Sequence, residues 1–278
     1  MTGIRTSIKT RISDTHELKQ KAKSIAKNVV EISVKNQAGH IAPSLSCIDL
    51  LTALYYKIMQ INNDPKWADR DRLIFSKAHG CYGLYSILAD IGHLPKDAWT
   101  QFYKGGPLSG CLEKNLDFGI EASCGSLGHG LPMAVGIAYG AKLQNKNFQT
   151  YCIVGDGELQ EGSNWEALQF ATKYQLTNLT VIVDANGLQA MDYLCDVLTP
   201  EDYIHDIENK LKAFGLKTYV IDGHNMEDII NAFSTPHCLK AIIAKTIKGH
   251  GLKCMENIPK FHFRLPTEEE LKMGGDAV

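Results

Sequence analysis

Residues 150–192 read TYCIVGDGELQEGSNWEALQFATKYQLTNLTVIVDANGLQAMD, and the fold turns on how they are parsed. A short apolar run, Tyr151-Cys152-Ile153-Val154, stops at Gly155-Asp156-Gly157. An amphipathic stretch follows, and a second apolar run, Leu179 to Val183, stops at Asp184-Ala185-Asn186-Gly187. Apolar runs of this length on either side of a helix-period segment predict strand, helix and parallel strand, joined by a right-handed crossover. Asp156 and Asn186 then stand at the carboxyl ends of neighbouring strands, where open α/β sheets bind ligands.

The donor set suits a hard cation. Asp156 offers a carboxylate oxygen, Asn186 an amide oxygen, and a backbone carbonyl just past Asn186 a third ligand. Three protein oxygens leave octahedral Mg²⁺, or the related Ca²⁺ or Mn²⁺, room for water and for two oxygens of a diphosphate. Gly155 and Gly157 allow a sharp turn and a close approach of backbone to phosphate. Ser163-Asn164-Trp165-Glu166 has the pattern of a capping box opening the helix. GDG alone is an ordinary strand-to-loop turn and Asn-Gly an ordinary turn dipeptide. Their pairing across one strand-helix-strand unit is far more specific.

Composition bounds the remaining possibilities. The 278 residues suffice for one large α/β domain or two small ones, and we expect one domain, 1–278, with an irregular tail over 248–278. A hydrophobic fraction of 44% allows a full core. A net charge of -2 makes no electrostatic case for nucleic acid or an anionic membrane. The eight cysteines form no CxxC pair and several fall inside apolar runs, so reduced thiols are expected rather than disulfides or zinc. The N-terminus lacks the apolar core of a secretory signal. The longest apolar stretch, Leu131 to Ala141, is broken by Gly136 and Gly140 and is too short for a bilayer. A cytoplasmic protein is expected.

Along the chain, Thr15 to Val34 carries apolar residues at helical spacing, Gly39 to Pro43 interrupts it, and Ser44 is placed to cap a second helix to about Met59. Leu73-Ile74-Phe75 reads as a strand ending in Ser76-Lys77-Ala78-His79-Gly80, with a helix from Tyr82 to Ile91 beyond. Residues 104–130 form a long glycine-rich connection, a length that usually marks function, and a helix opens at Leu131. GSLGHG lacks the dinucleotide spacing and a feeding strand, so no nicotinamide site is read there. Further on come a helix (Glu208–Phe214), a strand (Lys217–Ile221), a helix (Met226–Phe233) and a strand (Cys238–Thr246). In the tail, Thr267 and Glu270 can cap a final helix. Alternating strands and helices predict an α/β, doubly wound, mostly parallel sheet with helices on both faces.

GDG, 28 residues and then Asn resembles the thiamine-diphosphate motif of transketolases, 2-oxo acid dehydrogenases and their relatives. Four segments together resemble the N-terminal half of transketolase: GHIAPSLSCIDLLTALYY, DRDRLIFSKAHG, EASCGSLGHGLPMAVGIAYGAKL and GDGELQEGSNWEA…VDANGL. KTIKGHGLKCMEN and His262 extend the similarity, which runs from about Gln37 to Leu265. It implies that Asp156, Asn186 and the Leu188 carbonyl bind the metal. Gly155 and Gly157 would lie at the diphosphate, Gly125 and Leu127 against the cofactor rings, and Glu161 at a subunit interface. His40, His79 and His262 would line the active site, with His79 also touching the cofactor. Imidazoles suit proton movement and hydrogen bonding to alkoxides near neutral pH. His129 is left undecided, and His205, His224, His237 and His250 are read as structural or surface residues.

The same resemblance marks a departure. Transketolases carry a further active-site histidine after the GGPLSG-like segment, where this chain has Gly110-Cys111-Leu112. A thiol carries no positive charge and donates weakly. Phe263 after His262 likewise suggests an altered mouth.

Taken together, these features imply the N-terminal subunit of a split transketolase, moving a two-carbon ketol unit from a ketose to an aldose with thiamine diphosphate and Mg²⁺. In the family this chain resembles, the carboxylate that activates the cofactor comes from a pyrimidine-binding domain. A partner subunit bearing that domain and the C-terminal transketolase domain is therefore expected, in a heterotetramer with two copies of each. The rival readings are an alpha-type subunit of a 2-oxo acid dehydrogenase, a deoxyxylulose-phosphate-synthase-like enzyme, or a non-catalytic paralogue acting in assembly.

Overall fold

The structure, a computed structural model, describes residues 11–190, 192–235 and 238–273. The N-terminal decapeptide and His237 lie outside them. In chain order the elements are α1 (Thr15–Asn36), α2 (Ile41–Leu45), α3 (Ile48–Ala53), β1 (Arg72–Phe75), α4 (Tyr82–Asp90), α5 (Lys96–Thr100), α6 (Gly130–Leu143), β2 (Thr150–Gly155) and α7 (Gly162–Lys173). They continue with β3 (Leu179–Ala185), α8 (Leu194–Val197), α9 (Tyr203–Ala213), β4 (Lys217–Asp222), α10 (Met226–Phe233), β5 (Lys240–Lys245) and α11 (Glu268–Met273).

Among the described residues five strands form one sheet in the order β1-β2-β3-β5-β4, and every pairing of these strands is parallel. All seven residues of β3 are buried, as are the first five of β2. Successive side chains point to opposite faces, so such strands need cover on both. One helical layer, in which α10 packs on α3 and α1 and Phe233 meets Tyr151 of β2 edge-to-face, supplies one cover. Packed α6 and α7, with α9 joined through the Trp165–Phe214 contact, supply the other. This is the doubly wound α/β fold read from the sequence, with a wholly parallel sheet. Among the described residues no helix is long and apolar enough to cross a membrane.

Local chemistry explains some of the element ends. Asp14 accepts the Glu17 N–H at 2.9 Å to cap α1. Thr267 and Glu270 make the expected reciprocal capping pair at α11, at 3.2 and 2.9 Å. Two expected caps are not made. His40, not Ser44, occupies the N-cap of α2, and the Ser44 hydroxyl instead donates back to the His40 carbonyl at 2.8 Å. Likewise Glu161 precedes α7, while the Ser163 hydroxyl donates to the Gly128 carbonyl at 2.6 Å and so tethers the glycine-rich connection. In both places the serine lies inside the helix and its hydroxyl donates to a carbonyl, so it accepts no helix-end N–H. The helix expected up to Met59 is also divided, α3 being followed by a π-helical turn at Leu54–Ile58.

Because β1, β2, β3 and β5 are parallel and adjacent, their carboxyl ends open on one rim. The segments leaving them carry Ser76-Lys77-Ala78-His79, Asp156-Gly157, Asn186-Gly187-Leu188 and Thr246-Ile247-Lys248. The candidate site is built there.

Candidate functional site at the carboxyl rim of the sheet

Asp156 leaves β2 buried, and its carboxylate accepts two backbone N–H groups, from Gly157 at 2.8 Å and from Gly187 at 2.6 Å. The second bond crosses to the β3 end and ties the two predicted ligand-bearing loops together. Burial, reinforced by the negative charge of Asp184, pushes the Asp156 carboxyl up to about 7. A buried carboxylate with its charge this poorly compensated is suited to a cation. Asn186 is also buried; its amide oxygen accepts the Leu188 N–H at 3.1 Å, and its NH₂ donates to Asp184 at 3.3 Å.

Beneath these two residues lies a polar support that sequence reasoning missed. Asp184, fully buried, receives the Ser46 hydroxyl at 2.7 Å, the Thr246 hydroxyl, and the ammonium of Lys77. Lys77 donates further to the Pro43 carbonyl at 2.9 Å and the Ser46 hydroxyl at 3.2 Å. Burial alone would raise the Asp184 pKa, but the Lys77 charge and the three donors outweigh it and hold the group ionised. Lys77 remains charged for the reciprocal reason: its burial is outweighed by Asp184. Glu158 was missed too. It accepts from the Ser76 hydroxyl, from the Gly128 N–H at 2.9 Å and from the Gly155 N–H at 3.0 Å, joining β1, the glycine-rich connection and the β2 turn. A charged residue within three positions of a strand's carboxyl end, in SKAHG, GDGE and VDAN, was the available signal.

The three predicted histidines come together from distant parts of the chain. Ring centroids are 5.6 Å apart for His40–His79, 5.6 Å for His40–His262 and 5.0 Å for His79–His262. Gly39 makes this possible: a Cβ there would sit 2.0 Å from the Phe263 carbonyl oxygen, so only glycine lets the tail lie on the His40 loop. Phe263 meets the His40 ring edge-on, with centroids 4.7 Å apart. Burial, helped by Lys248, lowers the His40 pKa to about 4 and that of His262 to about 3. Burial, then Lys77 and the neighbouring imidazoles, takes His79 well below its ordinary value. The His40 Nδ1 is buried without a hydrogen-bond partner among the described residues. Lys248 Nζ lies 2.9 Å from His262 Nδ1 and is itself lowered to about 8, chiefly by burial and then by Lys77.

These groups border a cleft of about 250 Å³. Of the predicted residues, His79, Leu127, Gly155, Asp156, Gly157, Glu161, Asn186, Leu188 and His262 line it. His40 is not part of the wall and touches it through the His79 and His262 rings. Gly125 is not part of the wall; its α-carbon faces Cys111, whose Sγ would lie 3.7 Å from an added Cβ. The Cys111 carbonyl accepts the Tyr85 hydroxyl at 3.0 Å, which anchors this stretch of the connection. Gly128, at φ 78°, brings the loop against α7: a Cβ there would meet the Glu161 Cβ at 2.5 Å. His129 is exposed and holds the Leu127 carbonyl at 3.0 Å.

A wholly parallel sheet with an acid-amide pair, two lysines and three imidazoles at its carboxyl rim defines an α/β domain built for a cation and a multiply charged anion. The sequence matches the family described as "Transketolase, thiamine diphosphate binding domain" over residues 18–272. It is 36% identical over 269 residues to an apulose-4-phosphate transketolase subunit of Actinobacillus succinogenes, covering 92% of this chain and 94% of that one. It is 34% identical over 263 residues to a 6-deoxy-6-sulfo-D-fructose transketolase subunit of a Clostridium species, covering 92% and 94%. Among solved structures, transketolase from Campylobacter jejuni superposes with a TM-score of 0.83 at 29% identity, over 93% of this chain and 42% of that one. The chain belongs to the transketolase family and comprises its N-terminal, thiamine-diphosphate-binding part, as one subunit of a transketolase-type transferase.

Proposed function

We propose that this chain is the diphosphate-holding subunit of a split transketolase that transfers a two-carbon ketol unit from a ketose to an aldose. The observation that carries the reading is the Asp156–Gly187 bond, which sets an under-compensated buried carboxylate beside Asn186 and Leu188 at the cleft floor. Asp156, the Asn186 amide oxygen and the Leu188 carbonyl would hold the divalent cation, Mg²⁺ or in its place Ca²⁺ or Mn²⁺. Gly155 and Gly157 present backbone to the diphosphate, Leu127 lies on the side of the cofactor rings with Gly125 set back beside Cys111, and Glu161 faces the neighbouring subunit.

When bound, thiamine diphosphate supplies the electron sink for breaking and remaking a C–C bond beside a carbonyl. The chain's own part is binding, orientation and proton placement. His40, His79 and His262 are neutral at pH 7 and hydrogen-bond rather than attract; an anion bound beside them would draw their pKa values upward. Lys248 brings a cation to the same wall. Cys111, in the place of a family histidine, leaves the donor's end with one fewer imidazole contact. The relatives named for apulose-4-phosphate and 6-deoxy-6-sulfo-D-fructose suggest a ketose with a phosphate or sulfonate terminus. The carboxylate that activates the cofactor would come from a partner subunit carrying the pyrimidine-binding and C-terminal domains, in an assembly of two copies of each. The cytoplasm is the expected location.

The test is co-expression with a polypeptide carrying those domains, followed by calorimetric titration with thiamine diphosphate and Mg²⁺. Ketol transfer is then assayed with phosphorylated, sulfonated and neutral ketoses. Metal-dependent cofactor binding with transfer supports the assignment. Oxidative decarboxylation of 2-oxo acids would move it to the dehydrogenase class, and an assembled complex that binds no cofactor would leave an assembly role.

A further inference from the structure

The turn between β4 and α10 carries His224 to the chain leaving β5, where the Gly223 N–H donates to the Lys245 carbonyl at 2.8 Å. The imidazole is largely buried and both nitrogens are engaged. Its Nε2 accepts the Ile247 N–H at 2.9 Å, and its Nδ1 lies 2.8 Å from the Asp49 carboxylate on α3. A nitrogen that accepts a backbone N–H must offer its lone pair, so the proton sits on Nδ1 and is donated to Asp49. His250 stacks on this ring, with centroids 3.6 Å apart and planes 18° apart; among the described residues its own Nδ1 has no hydrogen-bond partner, the Glu256 carboxylate standing 4.0 Å away.

Asp49, His224 and His250 bring their ligand atoms within 4.8 Å of one another, the spacing of a metal centre. A metal at the His224 Nδ1 would need the lone pair there. The ring proton would then move to Nε2 and face the Ile247 N–H, donor against donor. The hydrogen-bond pattern therefore favours an oriented Asp-His dyad over a metal site.

What the dyad holds gives it a role. Ile247 lies between two residues of the cleft's framework: Thr246, whose hydroxyl donates to Asp184, and Lys248, which contacts His262 and, at 3.4 Å, the Gln189 carbonyl. We propose that His224, its tautomer set by Asp49, is a positioning residue that fixes the Ile247 peptide and through it the place of Lys248 in the cofactor cleft. The link to the cofactor rests on the function proposed above; the tautomer and the Ile247 bond do not.

Two substitutions separate the acceptor from the bulk of the ring. His224→Phe keeps a ring to stack on His250 and loses the acceptor, whereas His224→Gln can present an oxygen near the Nε2 position. In the assembled complex, H224F should weaken thiamine-diphosphate binding in saturating Mg²⁺ by roughly fivefold to tenfold, the size of one hydrogen bond. H224Q should recover most of that loss. Hydrogen exchange of the Ile247 amide, read in this chain alone, should quicken in H224F and stay near wild type in H224Q. Nitrogen-15 shifts should report an Nδ1-protonated, neutral His224. Equal impairment of both folded variants, unchanged Ile247 exchange in H224F, an Nε2–H tautomer, or one equivalent of Zn²⁺ retained in dialysis and lost in His250→Ala would each overturn the proposal. If wild-type complex binds no cofactor while the exchange and nitrogen shifts behave as stated, the functional reading fails and the positioning of Ile247 stands.

Discussion

The Asp156 carboxylate accepts the Gly187 N–H at 2.6 Å, joining the turn after β2 to the turn after β3. The bond crosses between strands whose registry pairs Gly155 with Asp184, so both turns begin at the same height on the rim. It places Asp156 beside Asn186 without any contact between their side chains having to do so, and leaves the carboxylate under-neutralised.

Replacing Asp156 by Asn should retain one acceptor for these backbone donors while removing the charge. The assembled complex should lose metal-dependent thiamine-diphosphate affinity by about 100-fold or more, in line with losing a ligand rather than an outer partner, for which about 10–100-fold is usual. Calorimetric titration in Mg²⁺ measures this. Affinity within a factor of about three of wild type would remove Asp156 from the cation site.

Lys77 and Asp184 form a fully buried ion pair. Lys77→Met leaves the carboxylate with neutral donors only, and breaking such a pair from one side costs about 3–5 kcal/mol. Urea denaturation of the full chain should show a loss of that order. A change below about 1 kcal/mol would mean that Ser46, Thr246 and Asn186 suffice to hold the charge.

The histidine cluster makes an acid-sensitive contribution with a definite sign. His40 and His262 have folded pKa values near 4 and 3, below the ordinary 6.5, chiefly through burial. The unfolded chain therefore binds more protons in this range, and their contribution to stability is present above pH 6.5 and lost as pH falls toward 4. The buried carboxyls of Asp71 and Asp156, raised to about 6 and about 7, act in the opposite sense over part of that window. The clean measurement is a difference: a His40→Asn, His262→Asn chain should lose less stability between pH 6.5 and 4.5 than wild type. Parallel stability-pH curves for the two would contradict the assignment.

Gly39→Ala should dislodge the tail. The new methyl has no room against the Phe263 carbonyl, and overpacking of this kind costs about 1–3 kcal/mol. Limited proteolysis should cut near residues 259–265 faster than in wild type, and His262 should leave the cluster. An unchanged cleavage pattern would show that the loop gives way instead.

Glu158→Gln replaces a carboxylate that receives the Ser76 hydroxyl and the Gly128 and Gly155 amides by a group that can accept at only one atom. Loss of about 1–3 kcal/mol is expected from the donors left unpaired, with faster amide exchange at Gly128. Wild-type exchange at Gly128 would place the anchor of the connection elsewhere, at Ser163.

Much of this was open to reading along the chain because it is local. Two apolar runs, each ending in a turn with an oxygen-bearing side chain, are enough to specify parallel strands and the rim on which Asp156 and Asn186 meet. The Thr267–Glu270 cap at α11 depends on residues three apart and formed as read. Ser44 and Ser163 did not cap because each falls inside its helix: the Ser44 hydroxyl bonds back four residues to the His40 carbonyl, a local contact, and the Ser163 hydroxyl reaches the Gly128 carbonyl, 35 positions away.

What the amino-acid order determined by itself was the alternation of strand and helix, the placement of the acid-amide pair and the membership of a family. What only the tertiary structure decided was which charges find each other in the core. Lys77 and Asp184 lie 107 positions apart, and His40 reaches His262 only because Gly39 admits the tail. Asp49 and His224, 175 positions apart, meet across two elements. The physical reason is range. Periodicity and capping act over a few residues and can be read in one dimension, whereas desolvation and ion pairing depend on burial and distance, which exist only once the sheet is closed on both faces.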